Sequence, residues 1–170
     1  MKTTRITTLA LIATTSVAAT IALPVAAHAD PMSACLSGQV KVSNGGEHGA
    51  FGYREVILTF SLAPGAEPCT LTGYPGVDSG AGGPLIPADR TPSGFMGGLR
   101  TGTPPTITVW PSQPAYAVVE GAAVDRRDSA HKCPTYTDLQ VTVPDTTKTV
   151  TIPVTIDTCE LQVHPVGSET

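Results

Sequence analysis

Charge and aromatic rings are scarce in this 170-residue chain: Asp, Glu, Lys and Arg make up 14% of it and Phe, Trp and Tyr 5%. A coiled coil, a helical bundle or a charged disordered chain needs many more helix formers or a far larger net charge. With 10 basic against 14 acidic residues the formal net charge is −4, so no basic face advertises nucleic-acid binding. Beyond the first thirty residues no stretch approaches the ~20 apolar residues of a membrane span. Catalytic signatures are missing as well: there is no G-x-S-x-G elbow, H-E-x-x-H, P-loop or dinucleotide fingerprint. What the chain has instead is 17 Gly, 16 Pro and four Cys.

The N-terminus reads as an address. Lys2 and Arg5 precede an apolar stretch over residues 6–25, and Ala27-His28-Ala29 then offers the small-x-small pattern of signal peptidase. Without a twin-Arg pair the general secretion route is expected. Residues 1–29 are therefore read as a signal peptide and residues 30–170 as one secreted domain. Loss of Lys2 and Arg5 leaves 8 basic and 14 acidic residues, a mature charge of 8 − 14 = −6. Met32 stands where a lipobox before Cys35 would want Leu, so a free product is expected rather than a lipid-anchored one.

Cys35, Cys69, Cys133 and Cys159 all lie in the exported part. An even number in an oxidising compartment reads as two disulfides with three possible connectivities. Gaps of 34, 64 and 26 residues lack the close pairs of a zinc site, so no metal is expected. The pairing chosen is Cys35–Cys159 with Cys69–Cys133, tying the ends together around a closed middle loop. Sequential pairing would stabilise only a little less, so loop entropy leaves the choice open.

Alternation with a period of two dominates the rest of the chain. Val56, Leu58, Phe60 and Leu62 make one apolar face of a long strand. Val40 and Val42 mark a shorter one before the turn residues Asn44-Gly45-Gly46. Ile107 and Val109, Tyr116 and Val118, Leu139 to Val143, Val150 to Ile156, and Leu161 with Val163 continue the pattern. Seven or eight strands separated by Gly and Pro predict an all-β antiparallel immunoglobulin-like sandwich braced by two disulfides. Pro153 cannot donate to a ladder, so its strand is expected at an edge or bulged. Between Tyr74 and Pro105 turn chemistry prevails, and a loop of that length is a functional candidate.

The segment Cys69-Thr70-Leu71-Thr72-Gly73-Tyr74-Pro75-Gly76-Val77 resembles the hallmark of an exported actinobacterial family, the domain of unknown function 4232. The resemblance extends to Cys35, to Gly52 ahead of the long strand, and to Cys133 and Cys159. Trp110-Pro111-Ser112-Gln113-Pro114 departs from it, where the family more often has a Pro-Gly turn. The resemblance implies a secreted or lipid-anchored β-sandwich and no established activity. Read physically, Cys69 anchors a strand, Leu71 points to the core and Gly73 permits a turn. Tyr74 before Pro75 favours extended backbone, and Pro75-Gly76 suits a turn with positive φ at Gly76.

No catalytic residue, metal ligand or cofactor is assigned. Asp78 and Asp89 are read as turn residues rather than a carboxylate pair, and 125–128 as a solvated loop. The expected function is a non-catalytic extracellular binding module, a monomer that meets an extracellular or cell-envelope partner. The candidate contacts lie in the loop 78–103, where Arg90 and Arg100 flank Phe95 and Met96, an aromatic-plus-Arg composition enriched at hot spots. The alternatives are a secreted protease inhibitor presenting the segment 131–138, and a hydrolase. Intact mass of the exported protein should match residues 30–170 less four hydrogens; a diacylglyceryl adduct on Cys35 would contradict the free, secreted form.

Overall fold

The computed structural model describes residues 32–95 and 102–168. Among them, ten strands and no helix follow in order: β1 (Val40–Ala50), β2 (Tyr53–Leu62), β3 (Cys69–Thr72), β4 (Gly76–Ser79), β5 (Asp89–Arg90), β6 (Thr106–Val109), β7 (Ala115–Ala122), β8 (Thr135–Thr142), β9 (Thr149–Asp157) and β10 (Glu160–Val163). They form a five-stranded sheet ordered β1-β2-β7-β10-β5, a three-stranded sheet β4-β8-β9 and a two-stranded sheet β3-β6. Of the strand ladders only β5–β10 is parallel, so the all-β, mostly antiparallel expectation holds.

Strand β2 shows why the fold closes. Val56, Leu58 and Phe60 are at most 1% exposed, while Ile57 and Thr59 on the other face are half-buried. Its inward row meets Leu139, Val141, Ile152, Val154 and Ile156 from β8 and β9 in one core. Neighbouring β7 presents only small residues inward, Ala115, Ala117, Val119 and Gly121. A Cβ at Gly121 would press on Thr158 Oγ1 at 2.8 Å and Ile156 Cδ1 at 3.0 Å, so the strand end after β9 packs directly on its backbone.

One local expectation changes and another holds. Asn44-Gly45-Gly46 does not end the first strand. Asn44 Oδ1 accepts the Gly46 N–H at 2.9 Å, a bulge forms between Asn44 and Gly46, and β1 pairs on to Ala50. A bulge needs the same permissive residues as a turn, which is why the sequence pattern did not separate them. Pro153 lies in β9 at the edge of its sheet, with the β8–β9 register shifting beside it, as proline chemistry requires.

The disulfides are Cys35–Cys69 and Cys133–Cys159, with Cα separations of 4.9 and 5.0 Å. This corrects the nested pairing expected above. Residues 33–35 lie alongside β3: Thr70 N–H donates to the Ser33 carbonyl, and Cys35 N–H to that of Thr70. At the other end Thr135 pairs with Asp157 across β8 and β9, which brings Cys133 to Cys159. Loop entropy differs by only about 1 kcal/mol per bridge between the schemes, so strand adjacency decides. Leu58→Ala or Phe60→Ala should destabilise the fold by roughly 2–5 kcal/mol, and Thr59→Ala by less than about 1 kcal/mol, measured by denaturant titration.

Candidate functional site

The segment from Cys69 to Gly76 turns a corner between sheets. Cys69 and Leu71 are buried in β3, and Gly73, at φ +88°, swings the chain through Tyr74 and buried Pro75 into β4. The Gly73 carbonyl accepts the Val166 N–H at 2.9 Å, fastening the C-terminal segment to this corner. The expected positive φ at Gly76 is not found: the left-handed residue is Gly73, and Gly76 enters β4 opposite Thr142. A Cβ on Gly76 would meet Thr142 Cβ at 3.3 Å, so close strand packing, not turn geometry, accounts for that glycine. The element is structural throughout.

The long loop is stitched down more than its composition suggests. Ala88 N–H donates to the Val77 carbonyl, Ser79 N–H to that of Ile86, and the Tyr136 hydroxyl to that of Pro84 at 2.6 Å. Residues 91–95 then cross the outer face of the five-stranded sheet. The Phe95 ring stacks on Tyr53, with centroids 4.9 Å apart, and the Arg126 guanidinium lies over it at 5.7 Å. Beneath, Glu120 is 2% exposed and His164 6%, with His164 Nε2 3.5 Å from Glu120 Oε1. The Phe95 N–H donates to Glu120 Oε2. Phe95 is thus half-buried packing, and its guanidinium neighbour comes from the β7–β8 connection. Arg90 lies exposed in β5, paired with Val163 of β10. Met96 and Arg100 lie outside the described residues.

One aromatic side chain is presented at the same end of the sheet. Phe51 and Gly52 form the two-residue β1–β2 turn with φ +51° and +83°, the signature of a type I′ hairpin. Phe51 is 100% exposed. Ala123 N–H donates to the Gly52 carbonyl at 2.8 Å, bringing Val124, 43% exposed, beside the turn. Val124 bridges Lys132 just before the Cys133–Cys159 disulfide. A cavity of about 410 Å³ opens here, lined by Gly52, Arg54, Val124, His131, Lys132 and Asp157 among others. Arg54 pairs with Asp157 at 3.4 Å and Arg126 with Glu160 at 3.9 Å. The Arg127 N–H donated to Asp125 Oδ1 holds that exposed carboxyl below its usual range.

The model of a family described as Domain of unknown function (DUF4232) matches residues 35–167. The chain belongs to that family. No curated protein and no solved structure matches it. In this DUF4232 chain the Trp110–Gln113 turn closes by reciprocal backbone hydrogen bonds of 3.0 and 3.1 Å, so the chain turns from β6 to β7, strands of different sheets, without a Pro-Gly pair. Asp78 is on β4 and Asp89 on β5, strands of different sheets. From Thr135 the segment 131–138 runs into β8, where Tyr136 is fully buried. No group of three or more His, Cys, Asp or Glu side chains able to hold a metal occurs among the described residues, and no described helix is long and apolar enough to cross a membrane.

The alternation pattern does not single out Phe51, because Asn44-Gly45-Gly46 offers the same permissive residues for a turn earlier in the chain. The available signal was Gly52, the only glycine between Phe51 and the long apolar strand. A Cβ at Gly94 would collide with both Glu120 and His164. Gly94→Ala should therefore lower the melting temperature, with a loss of about 1–3 kcal/mol typical of overpacking.

Proposed function

We propose that this DUF4232 chain is a secreted, non-catalytic interaction module with an immunoglobulin-like arrangement of sheets, whose partner-binding surface is centred on Phe51. The observation that carries this reading is a conflict between local chemistry and conformation. The first central position of a type I′ turn strongly prefers Asn, Asp or Gly, because φ is positive there. Phenylalanine at φ +51° costs on the order of 1–2 kcal/mol and exposes a full ring to water. At 100% exposure the ring gains no packing that offsets this cost.

Binding supplies the missing compensation. An exposed ring on a fixed turn, with Val124 and Arg54 lining the adjoining cavity, has the composition of an interface hot spot. The hairpin turn is held by the Ala123–Gly52 hydrogen bond, and the neighbouring connection is anchored at the Cys133–Cys159 bridge. Preorganisation of this kind reduces the entropy lost on association. Export, suggested by residues 1–29, and two disulfides agree with an extracellular setting.

Phe51→Asn is the discriminating substitution, since it should act on stability and binding in opposite directions. Thermal melting is expected to rise, by about 1 kcal/mol of added stability, while a partner captured from envelope or culture-medium fractions by wild type is lost. Retained capture of that partner would remove Phe51 from the binding surface. Stoichiometric inhibition of a trypsin-like protease, abolished by Lys132→Ala, would replace the module reading with the inhibitor one.

A further inference from the structure

The seam where β1 of one sheet meets β9 of another is sealed over half its length and open over the rest. Both strands are sheet edges: among the described residues β1 pairs only with β2 and β9 only with β8. In the sealed half, Asn44 Nδ2 donates to the Pro153 carbonyl at 3.2 Å, and Glu47 Oε1 accepts the Thr155 N–H at 3.2 Å. The bulge at Asn44/Gly46 and Pro153 itself add the usual devices that keep edges from pairing. Toward the start of both strands, among the described residues, neither the bulge, the proline nor a side-chain seal continues, and the edge carries only Lys41.

Backbone parity shows what the open half presents. Ala63 N–H donates to the Gln39 carbonyl, so the peptide groups of Gln39 and Lys41 face β2 and those of Val40 and Val42 face the seam. On β9 the Pro153 carbonyl points to the seam, so Thr151 and Thr149, two and four residues earlier in an unbroken ladder, point there too. The gap is a groove of about 320 Å³ with an apolar floor of Val40, Val42, Val143 and Val150. That volume is at the lower end for ligand sites.

Charge completes the description. Lys41 and Lys148 both line the groove, and among the described residues no carboxylate does. They are two of the three lysines in residues 30–170, a region with 14 acidic and 8 basic residues. Neither makes an ion pair or side-chain hydrogen bond among the described residues. In an acidic protein, two unpaired ammonium groups beside one apolar floor set up a complementary field for a negatively charged occupant.

We propose that the open seam binds a short extended peptide in which apolar and acidic residues alternate, added as a strand to a free edge. Strand addition draws affinity from main-chain hydrogen bonds and specificity from pockets for alternate side chains. Apolar side chains of the added strand face the valine floor, and its carboxylates lie beside Lys41 and Lys148. Asn44, Glu47 and Pro153 stop the strand from extending further along the seam. Three residues of strand span about 10 Å, which matches the open stretch from Val40 to Val42. This surface is distinct from that of Phe51.

The test uses the purified protein with two capped pentapeptides, Val-Glu-Val-Glu-Val and Val-Lys-Val-Lys-Val, and with dodecanoate. The acidic peptide should bind saturably and slow amide exchange at Val40, Val42, Thr149 or Thr151. Combined Lys41→Glu and Lys148→Glu substitutions, both on exposed side chains, should leave melting unchanged. They should weaken the acidic peptide by roughly tenfold or more, equivalent to about 1.4 kcal/mol, and favour the basic one. Equal binding of both peptides, indifference to charge reversal, no binding, or dodecanoate binding without amide protection would each overturn the proposal.

Discussion

The small inward face of β7 is the constraint on which the rest of the packing depends. Ala115, Ala117, Val119 and Gly121 give that strand almost no side-chain depth. The surrounding strands supply the bulk: Phe60 and Leu58 from neighbouring β2, and across the core Tyr136 and Leu139 from β8, Ile152 and Ile156 from β9. Alternating large and small residues across a core lets layers interdigitate at close-packed density. A chain with so few aromatic rings reaches that density by bringing backbones together, as at Gly121 against Thr158 and Ile156.

That economy leaves the outer surfaces to do different things. Over β7 and β10 the outer face is covered, with Phe95 on Tyr53 and the Glu120–His164 pair beneath. At the β1–β2 turn it is left bare, with a phenylalanine in a left-handed conformation. Along the β1–β9 seam it is half sealed by Asn44 and Glu47. Of the disulfides, one ties residues 33–35 to β3 and the other closes the ends of β8 and β9.

Membership of DUF4232 brings no activity with it, so function has to be argued from the sites. Two surfaces depart from what a stable all-β core requires. The Phe51 turn carries conformational strain that packing does not offset, and the open seam leaves edge peptide groups and two lysines unpartnered. Phe95, by contrast, packs between Tyr53 and Arg126.

The sequence by itself determined the secondary structure class, the phase of most strands and the oxidation of all four cysteines. In β7 the phase is the reverse of the alternation at Tyr116 and Val118, because the inward face is built from Ala115, Ala117 and Val119. Period-two alternation in Val56, Leu58 and Phe60 is a local property, fixed because successive strand residues face opposite sides. The edge position of Pro153 was equally legible, because a missing N–H forbids a central ladder. Tertiary structure alone decided which cysteines pair, since adjacency of residues 33–35 to β3 is non-local and loop entropy barely distinguishes the schemes. It also decided between bulge and turn at Asn44-Gly45-Gly46, two uses of the same permissive backbone. That choice moved the hairpin tip to Phe51 and, with it, the exposed ring. Phe95 looked like a loop tip in one dimension; Tyr53 and Arg126, 42 and 31 residues away in sequence, made it packing.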